Sequence, residues 1–144
     1  MRKWNQGIYS PQHAEKYRGT LPIVYRSGLE LKMMRWCDEN VHVKQWGSES
    51  IIVPYLSPRD GKIHKYFTDF VLMLETPTGT KKYIVEVKPF SQTIPPSQKG
   101  RKNKNTLLME QLRWAVDSSK WQSARQWAEQ HGYLFMLVTE KDLK

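Results

Sequence analysis

Residues 65–88 read KYFTDFVLMLETPTGTKKYIVEVK, and the pattern of this stretch decides the fold. Two runs rich in β-branched and aromatic residues, 65–74 and 81–89, favour strands. The Pro77-Thr-Gly turn between them completes a predicted β-hairpin. A further strand-like run at 49–56 precedes the hairpin and is joined to it by turn residues. Two consecutive hairpins predict a three-stranded antiparallel meander.

An amphipathic helix is predicted ahead of the meander. Ser27 is placed to cap it, and apolar residues recur at helical spacing up to about Asn40. On this helix Glu30 falls within the apolar face rather than on the polar side. A glutamate at the edge of the core, with its carboxylate in water, would give the same pattern.

Two helices and a strand are predicted after the meander. The first helix covers 106–116, and Ser119 with Gln122 forms a capping box that opens the second, which ends before Gly132. The apolar run 133–138 predicts a strand buried on both faces and brought into parallel pairing by the helical crossover. The fold class is therefore α/β: a helix, an antiparallel meander, helices, and a further strand added in parallel to a mixed central sheet.

The 144 residues fit one domain at 27–144, preceded by an irregular basic arm at 1–26. Lys and Arg outnumber Asp and Glu by 23 to 14, a net charge of +9. The excess lies in the arm and in residues 76–104, which run into a basic loop at 91–105, whereas 27–75 is slightly acidic. Nucleic acid is the polyanion that such a charge favours first, although an anionic membrane surface or an acidic protein would attract the same chain.

Composition excludes several classes of protein. Hydrophobic residues make up 39% and aromatic residues 12% of the chain, too much for a disordered polycation. The longest apolar runs are too short to cross a bilayer, and we expect a soluble protein of the cytoplasm. Cys37 is the single cysteine, which excludes an internal disulfide and a Cys-based zinc site. The four histidines lack the spacing of metal ligands.

Three acids stand in apolar elements, where an unpaired carboxylate is costly to bury. Asp69 interrupts the run 65–74, although strands disfavour aspartate. Glu86 and Lys88 lie on one face of the next strand, because side chains alternate. Each has an ordinary explanation: Asp69 could accept backbone N–H bonds at a strand end, and Glu86 with Lys88 could form a surface ion pair. Together with Glu30 they can converge on one point of the sheet, which is the arrangement of a metal site.

The residue types suit a hard divalent cation. Mg²⁺ takes oxygen ligands and keeps several waters, so one or two protein acids suffice beside a substrate phosphate. We expect Asp69 and Glu86 to be metal ligands and Lys88 to orient or activate the attacking water. Glu30 is expected as an accessory acid that reaches the metal directly, through water, or at a second metal. The sequence thus predicts a metal-dependent nuclease.

Asp69, the Glu86-Val-Lys88 tripeptide and the helical Glu30 resemble the motif of the PD-(D/E)XK nuclease superfamily. The resemblance covers roughly residues 27–138 and implies a restriction-endonuclease-like fold. It also implies that the Val87 backbone carbonyl binds the metal and that Mn²⁺ substitutes for Mg²⁺. Thr68 stands where the superfamily motif has proline, a position that varies in the superfamily.

Longer stretches resemble the head completion nucleases of contractile-tailed bacteriophages. This resemblance implies a nuclease with endonucleolytic and exonucleolytic activity that acts on double-stranded DNA late in virion assembly, before head-tail joining. It further implies a place in the host cell cytoplasm, retention in the virion, contact with phage head or neck proteins, and no membrane partner. The matching stretches are 2–7 (RKWNQG), 25–38 (YRSGLELKMMRWCD), 52–55 (IVPY), 65–70 (KYFTDF) and 85–89 (VEVKP).

Basic residues of the loop and the arm are candidates for phosphate contacts, although a solvated linker would look the same. Gln111 is a candidate accessory residue on the helix after the sheet. Three late tryptophans at 114, 121 and 127 are predicted to lie in the core. The predicted DNA-binding residues are Arg2, Lys3, Lys99, Arg101, Lys102 and Lys104.

Two other functions fit the same pattern. A non-catalytic DNA-binding or virion structural protein could keep a nuclease fold, and it would bind DNA with a steep salt dependence. A nuclease that acts on RNA is the third hypothesis.

Overall fold

The computed structural model describes residues 6–97, 100 and 103–143. That part of the chain contains two short 3-10 turns, Ala14–Lys16 and Phe90–Gln92, and ten strands and helices. In chain order these are β1 (Gly7–Tyr9), β2 (Ile23–Tyr25), α1 (Gly28–Glu39), β3 (Val43–Ser48), β4 (Ile52–Leu56), β5 (Ile63–Phe67), β6 (Phe70–Thr76), β7 (Gly79–Val87), α2 (Lys104–His131) and β8 (Leu134–Val138).

A four-stranded sheet in the order β3-β6-β7-β8 forms the centre of the molecule. β3, β6 and β7 are antiparallel, and β8 joins β7 in parallel after the α2 crossover. The predicted hairpin, the mixed sheet and the parallel last strand are confirmed.

β8 is not buried on both faces as predicted. Phe135 and Leu137 pack in the core beneath α2, whereas Leu134 and Met136 are exposed. The difference arises because the two helices cover different strands. α2 packs on one face of β8, whereas α1 packs on β3 and β7 and leaves the other face of β8 exposed.

The prediction that the run 49–56 forms the first strand of the meander is wrong. β4 pairs with β5, but the two form a separate ribbon, and β3 takes the predicted place beside β6. The run 65–74 is divided by Thr68 and Asp69, which form the connection between β5 and β6. The Thr68 N–H and hydroxyl both donate to the Ile51 carbonyl, at 3.1 and 3.2 Å, and these bonds hold the chain where it leaves β5 for β6.

α1 begins where predicted, because the Ser27 Oγ accepts the N–H of Glu30 at 3.0 Å. Ahead of α1, the described part of the arm is more regular than expected. β1 pairs with β2, and the Ile23 side chain is buried. Tyr9 and Tyr17 pack against the same core.

α2 is one continuous helix, so the predicted break after residue 116 is wrong. Two of the Asp117-Ser-Ser residues that suggested a break have partners outside the helix instead. Asp117 faces Lys88, and the Ser119 hydroxyl donates to the Leu56 carbonyl at 2.6 Å. Gly132 ends the helix as predicted, with a left-handed φ of 78°.

Two hydrophobic cores meet at the central sheet. One lies under α1 and includes Val85 and Val87; the other lies under α2 and includes Ile84. Trp114, Trp121 and Trp127 pack in the second core, as predicted. Because side chains alternate along β7, Glu86 shares the α2 side with Ile84. Among the described residues, no helix has the length and apolarity needed to cross a membrane.

Candidate active site

Asp69 lies in the short connection between β5 and β6. Its Oδ2 accepts the N–H of Val87 at 2.8 Å, which sets the carboxylate against β7 between Glu86 and Lys88. The ordinary explanation therefore holds in part, since Asp69 does accept a backbone N–H at a strand end. Burial raises the pKa of Asp69 well above its usual range, and the negative charge of Glu86 raises it further. The two carboxylates are thus close enough to repel each other.

Glu86 is 5% exposed, and its Oε1 has no hydrogen-bond partner within the described part of the chain. The hydroxyl of Tyr66, which was not predicted as a site residue, comes from the ribbon to the same region. Burial raises the pKa of Tyr66, and the negative charges of Glu86 and Asp69 add to the effect. An unpartnered buried carboxylate oxygen is costly, so this position favours a cation.

Lys88 directly follows β7, and its backbone N–H donates to the Val138 carbonyl of β8 at 3.0 Å. Its Nζ lies 3.8 Å from Oδ2 of Asp117, which is buried on α2. Asp117 was not predicted as a site residue, because Asp-Ser-Ser is typical of a helix break. The available signal was an acid between the apolar residues Val116 and Trp121, the same unusual polarity that marked Glu30.

Glu30 has a structural role that the sequence analysis did not predict. Its N–H donates to the Ser27 Oγ, and its Oε1 accepts the N–H of Arg26 at 3.1 Å, which resembles a capping box. Burial raises the pKa of Glu30. The hydrogen bond from the Arg26 N–H opposes this effect, and the negative charge of Asp69 adds to it. Glu30 therefore lies within electrostatic range of Asp69 while capping α1.

Gln111 and Lys104, the other predicted residues within the described part of the chain, are exposed on α2. Gln111 precedes Asp117 by six residues, and Lys104 is the first residue of the helix. The remaining predicted DNA-binding residues lie outside the described residues: Arg2, Lys3, Lys99, Arg101 and Lys102.

Residues 40–140 match the sequence family described as TnsA-like endonuclease N terminal. The chain belongs to this endonuclease family. It is also 32% identical over 142 residues to the head completion nuclease of Enterobacteria phage T4, a similarity that covers 96% of this chain and 93% of that protein. The restriction-endonuclease-like fold and the predicted resemblance to head completion nucleases are confirmed.

The family match places the sheet side of the site within the nuclease domain. Asp69, Glu86, Lys88 and Asp117 all fall inside residues 40–140, whereas Glu30 precedes them. The chemistry of the matched family is the cutting of a polynucleotide, and the cluster lies where the β5–β6 connection meets the end of β7.

Asp69 and Glu86 fit a hard divalent cation in this nuclease. The described residues contain no group of three or more His, Cys, Asp and Glu side chains arranged for a metal. Mg²⁺ needs only one or two carboxylates, because waters and substrate oxygens complete its shell. The unpartnered Oε1 of Glu86 beside a second carboxylate supplies that donor set. Val87, predicted as a ligand through its carbonyl, contacts Asp69 through its N–H.

Proposed function

We propose that the chain is a Mg²⁺-dependent deoxyribonuclease with Asp69 and Glu86 as metal ligands. The observation that carries the proposal is the buried, unpartnered Oε1 of Glu86 beside the Asp69 carboxylate. Two acids in this position repel each other unless a cation or a shared proton compensates them, and a divalent cation would replace that proton. Membership in an endonuclease family supports hydrolysis of phosphodiester bonds as the reaction.

Each residue of the cluster has a separate role in the proposal. Asp69 and Glu86 hold the cation, with the Val87 carbonyl as a further ligand and Mn²⁺ as a substitute metal. When bound, the metal would stabilise charge on the scissile phosphate and lower the pKa of a bound water. Lys88 orients that water or stabilises the negative charge that develops on the phosphate. Glu30 acts as the accessory acid.

Double-stranded DNA is the proposed substrate. The net charge of +9 supports a polyanionic partner, and the basic excess flanks the acidic middle that contains Asp69. Positive charge in the arm and in residues 76–104 would hold the phosphate backbone on either side of the metal. Lys104, exposed at the start of α2, is the described member of the predicted DNA-binding set.

We further propose that the nuclease acts in phage head completion before head-tail joining. The similarity to the head completion nuclease of phage T4 over nearly the whole chain supports this role. The proposal includes endonucleolytic and exonucleolytic cutting, action in the host cytoplasm, retention in the virion, and contact with a head or neck protein.

A plasmid assay tests the catalytic part of this proposal. Purified protein is incubated with supercoiled plasmid in Mg²⁺, in Mn²⁺ or in chelator, and a matched RNA serves as the alternative substrate. We expect metal-dependent nicking of DNA by the parent and by Glu129→Gln, which alters an exposed acid on α2. Unchanged plasmid over a wide range of enzyme, or equal cutting by Lys88→Ala, contradicts the proposal.

Complementation separates catalysis from a structural role in the virion. We expect Asp69→Ala to fail to support phage production although the folded variant still binds DNA. Rescue by Asp69→Ala would favour the non-catalytic DNA-binding or structural function instead.

A further inference from the structure

Lys88 lies between two sets of carboxylates. The metal-ligand side is represented by Asp69; burial raises the pKa of this carboxyl, and the nearby positive charge of Lys88 opposes that effect. On the other side, the Lys88 Nζ is 3.8 Å from Oδ2 of Asp117. The ammonium of a lysine on a four-carbon stem can turn toward either side.

Asp117 is an unusual residue for the middle of a helix. Its side chain is 6% exposed, whereas that of Lys88 is 25% exposed. A buried carboxylate is strongly unfavourable without a cation, and Lys88 is its ion-pair partner among the described residues. The pair also spans two elements, α2 and the end of β7, so the helix holds the lysine from outside the sheet.

We propose that Asp117 is a positioning residue that holds the Lys88 ammonium toward α2 and away from the metal-ligand carboxylates. A lysine paired with Asp69 or Glu86 would occupy the acids that the cation needs. A lysine held by Asp117 stays beside the metal site and can face the attacking water. This inference rests on the proposed nuclease function, because the role of Lys88 beside the metal site is part of that proposal. It assigns Asp117 no contact with substrate or metal.

A double-mutant cycle tests the proposal. The variants are Asp117→Asn, Lys88→Ala and the combination of both, and Glu129→Gln serves as a control on the same helix. The measurements are the single-turnover rate of plasmid cleavage at saturating enzyme in Mg²⁺, the Kd for DNA, and the midpoint of thermal unfolding.

We expect Asp117→Asn to lower the cleavage rate by about 10- to 100-fold, the scale of a lost orienting contact. The Kd for DNA should change less than about two-fold, because Asp117 does not contact phosphate. In the Lys88→Ala background the same substitution should cause no further loss, because Asp117 acts through Lys88. Asp117→Glu, which keeps the charge, should retain more activity than Asp117→Asn.

The outcomes distinguish this inference from the proposed function. If the parent shows no metal-dependent cleavage, the proposed function fails and the inference fails with it. If the parent cleaves and Lys88→Ala cleaves more slowly at a measurable rate, cleavage by Asp117→Asn at the parental rate overturns the positioning role alone. An equal further loss in both backgrounds also overturns it, because that result indicates a general structural effect. Should Asp117→Asn unfold, comparison of Asp117→Glu with the parent decides the question by the same rate measurement.

Discussion

The carboxylate of Asp69 accepts the backbone N–H of Val87, with an Oδ2–N distance of 2.8 Å. This bond ties the β5–β6 connection to the end of β7, which carries Glu86 and is followed directly by Lys88. The position of Asp69 therefore depends on the register of the β6–β7 pair, in which Phe70 is opposite Val85. Backbone register, rather than a network of side chains, brings the two acids of the site together.

Glu86→Gln should abolish metal binding while preserving the fold. The substitution removes one of two repelling carboxylates and keeps the shape of the side chain. At a Mg²⁺ concentration ten times the Kd, the parent should gain about 1.4 kcal/mol of stability, and the variant should gain none. Thermal unfolding with and without Mg²⁺ measures this difference, with Glu129→Gln as the charge-matched control. An equal Mg²⁺-dependent shift in both variants would show that Glu86 is not a ligand.

The local elements were predictable because their signals are local. The Ser27 cap, the 77–79 turn and Gly132 act through the conformations of a few neighbouring residues. The acids at 69 and 86 were identifiable because each interrupts an apolar, strand-forming run of sequence. Their convergence followed from hairpin pairing, which is also a short-range relationship.

The neighbour of β6 was not predictable from local pattern. β3 contains a register irregularity between Val43 and Gln45, which disrupts the strict alternation by which strands are recognised. The run 49–56 has the clearer pattern but forms the ribbon with β5, where Val53, Tyr55 and Tyr66 pack against α2. Asp117 was missed for a similar reason, because its partner Lys88 lies on a different element.

The capping role of Glu30 and its proposed catalytic role should separate experimentally. Glu30→Gln keeps an oxygen for the Arg26 N–H, so the free energy of unfolding should change little while cleavage slows if the charge is needed. Ser27→Ala removes the helix cap and should cost about 1 kcal/mol without slowing cleavage at saturation. Urea unfolding and single-turnover cleavage are measured on both variants. Slower cleavage by Ser27→Ala, or parental cleavage by Glu30→Gln, would assign Glu30 to helix capping alone.

Neutralising the basic loop should weaken DNA binding without changing the chemistry. Each phosphate contact contributes about 0.9 to the slope of log affinity against log salt, so four lost contacts should flatten it by about 3 to 4. The cleavage rate at saturating enzyme should remain close to that of the parent. A control that replaces Lys44, which is paired with Glu75 at 2.7 Å, should leave the slope unchanged. An unchanged slope after substitution by glutamine would mean that the replaced residues do not contact phosphate. Those residues are Lys99, Arg101, Lys102 and Lys104, the last of which is the first residue of α2.

Asp38 should make stability depend on pH in the acid range. Its carboxylate accepts bonds from the Tyr9 hydroxyl and the N–H groups of Gln12 and His13, at 2.7, 2.8 and 2.9 Å. Burial would raise the pKa of Asp38, but these three hydrogen bonds outweigh it and lower the pKa below its ordinary value. Asp38 therefore stabilises the fold above its unfolded pKa of about 3.9, and this contribution is lost as pH falls through the lower folded value.

The comparison of Asp38→Asn with the parent tests this linkage. At pH 7 the variant should be less stable by about 2 to 4 kcal/mol, because hydrogen bonds to a buried charge are lost. The gap should narrow as pH falls from about 4 through the folded pKa, because the unfolded chain takes up the proton first and the protonated carboxyl of the folded parent resembles the amide. Urea unfolding from pH 7 to pH 3 measures this difference in the free energy of unfolding. Glu39→Gln, at the exposed neighbouring residue, is the control. A gap that stays constant with pH would mean that Asp38 stabilises the arm by shape and not by charge.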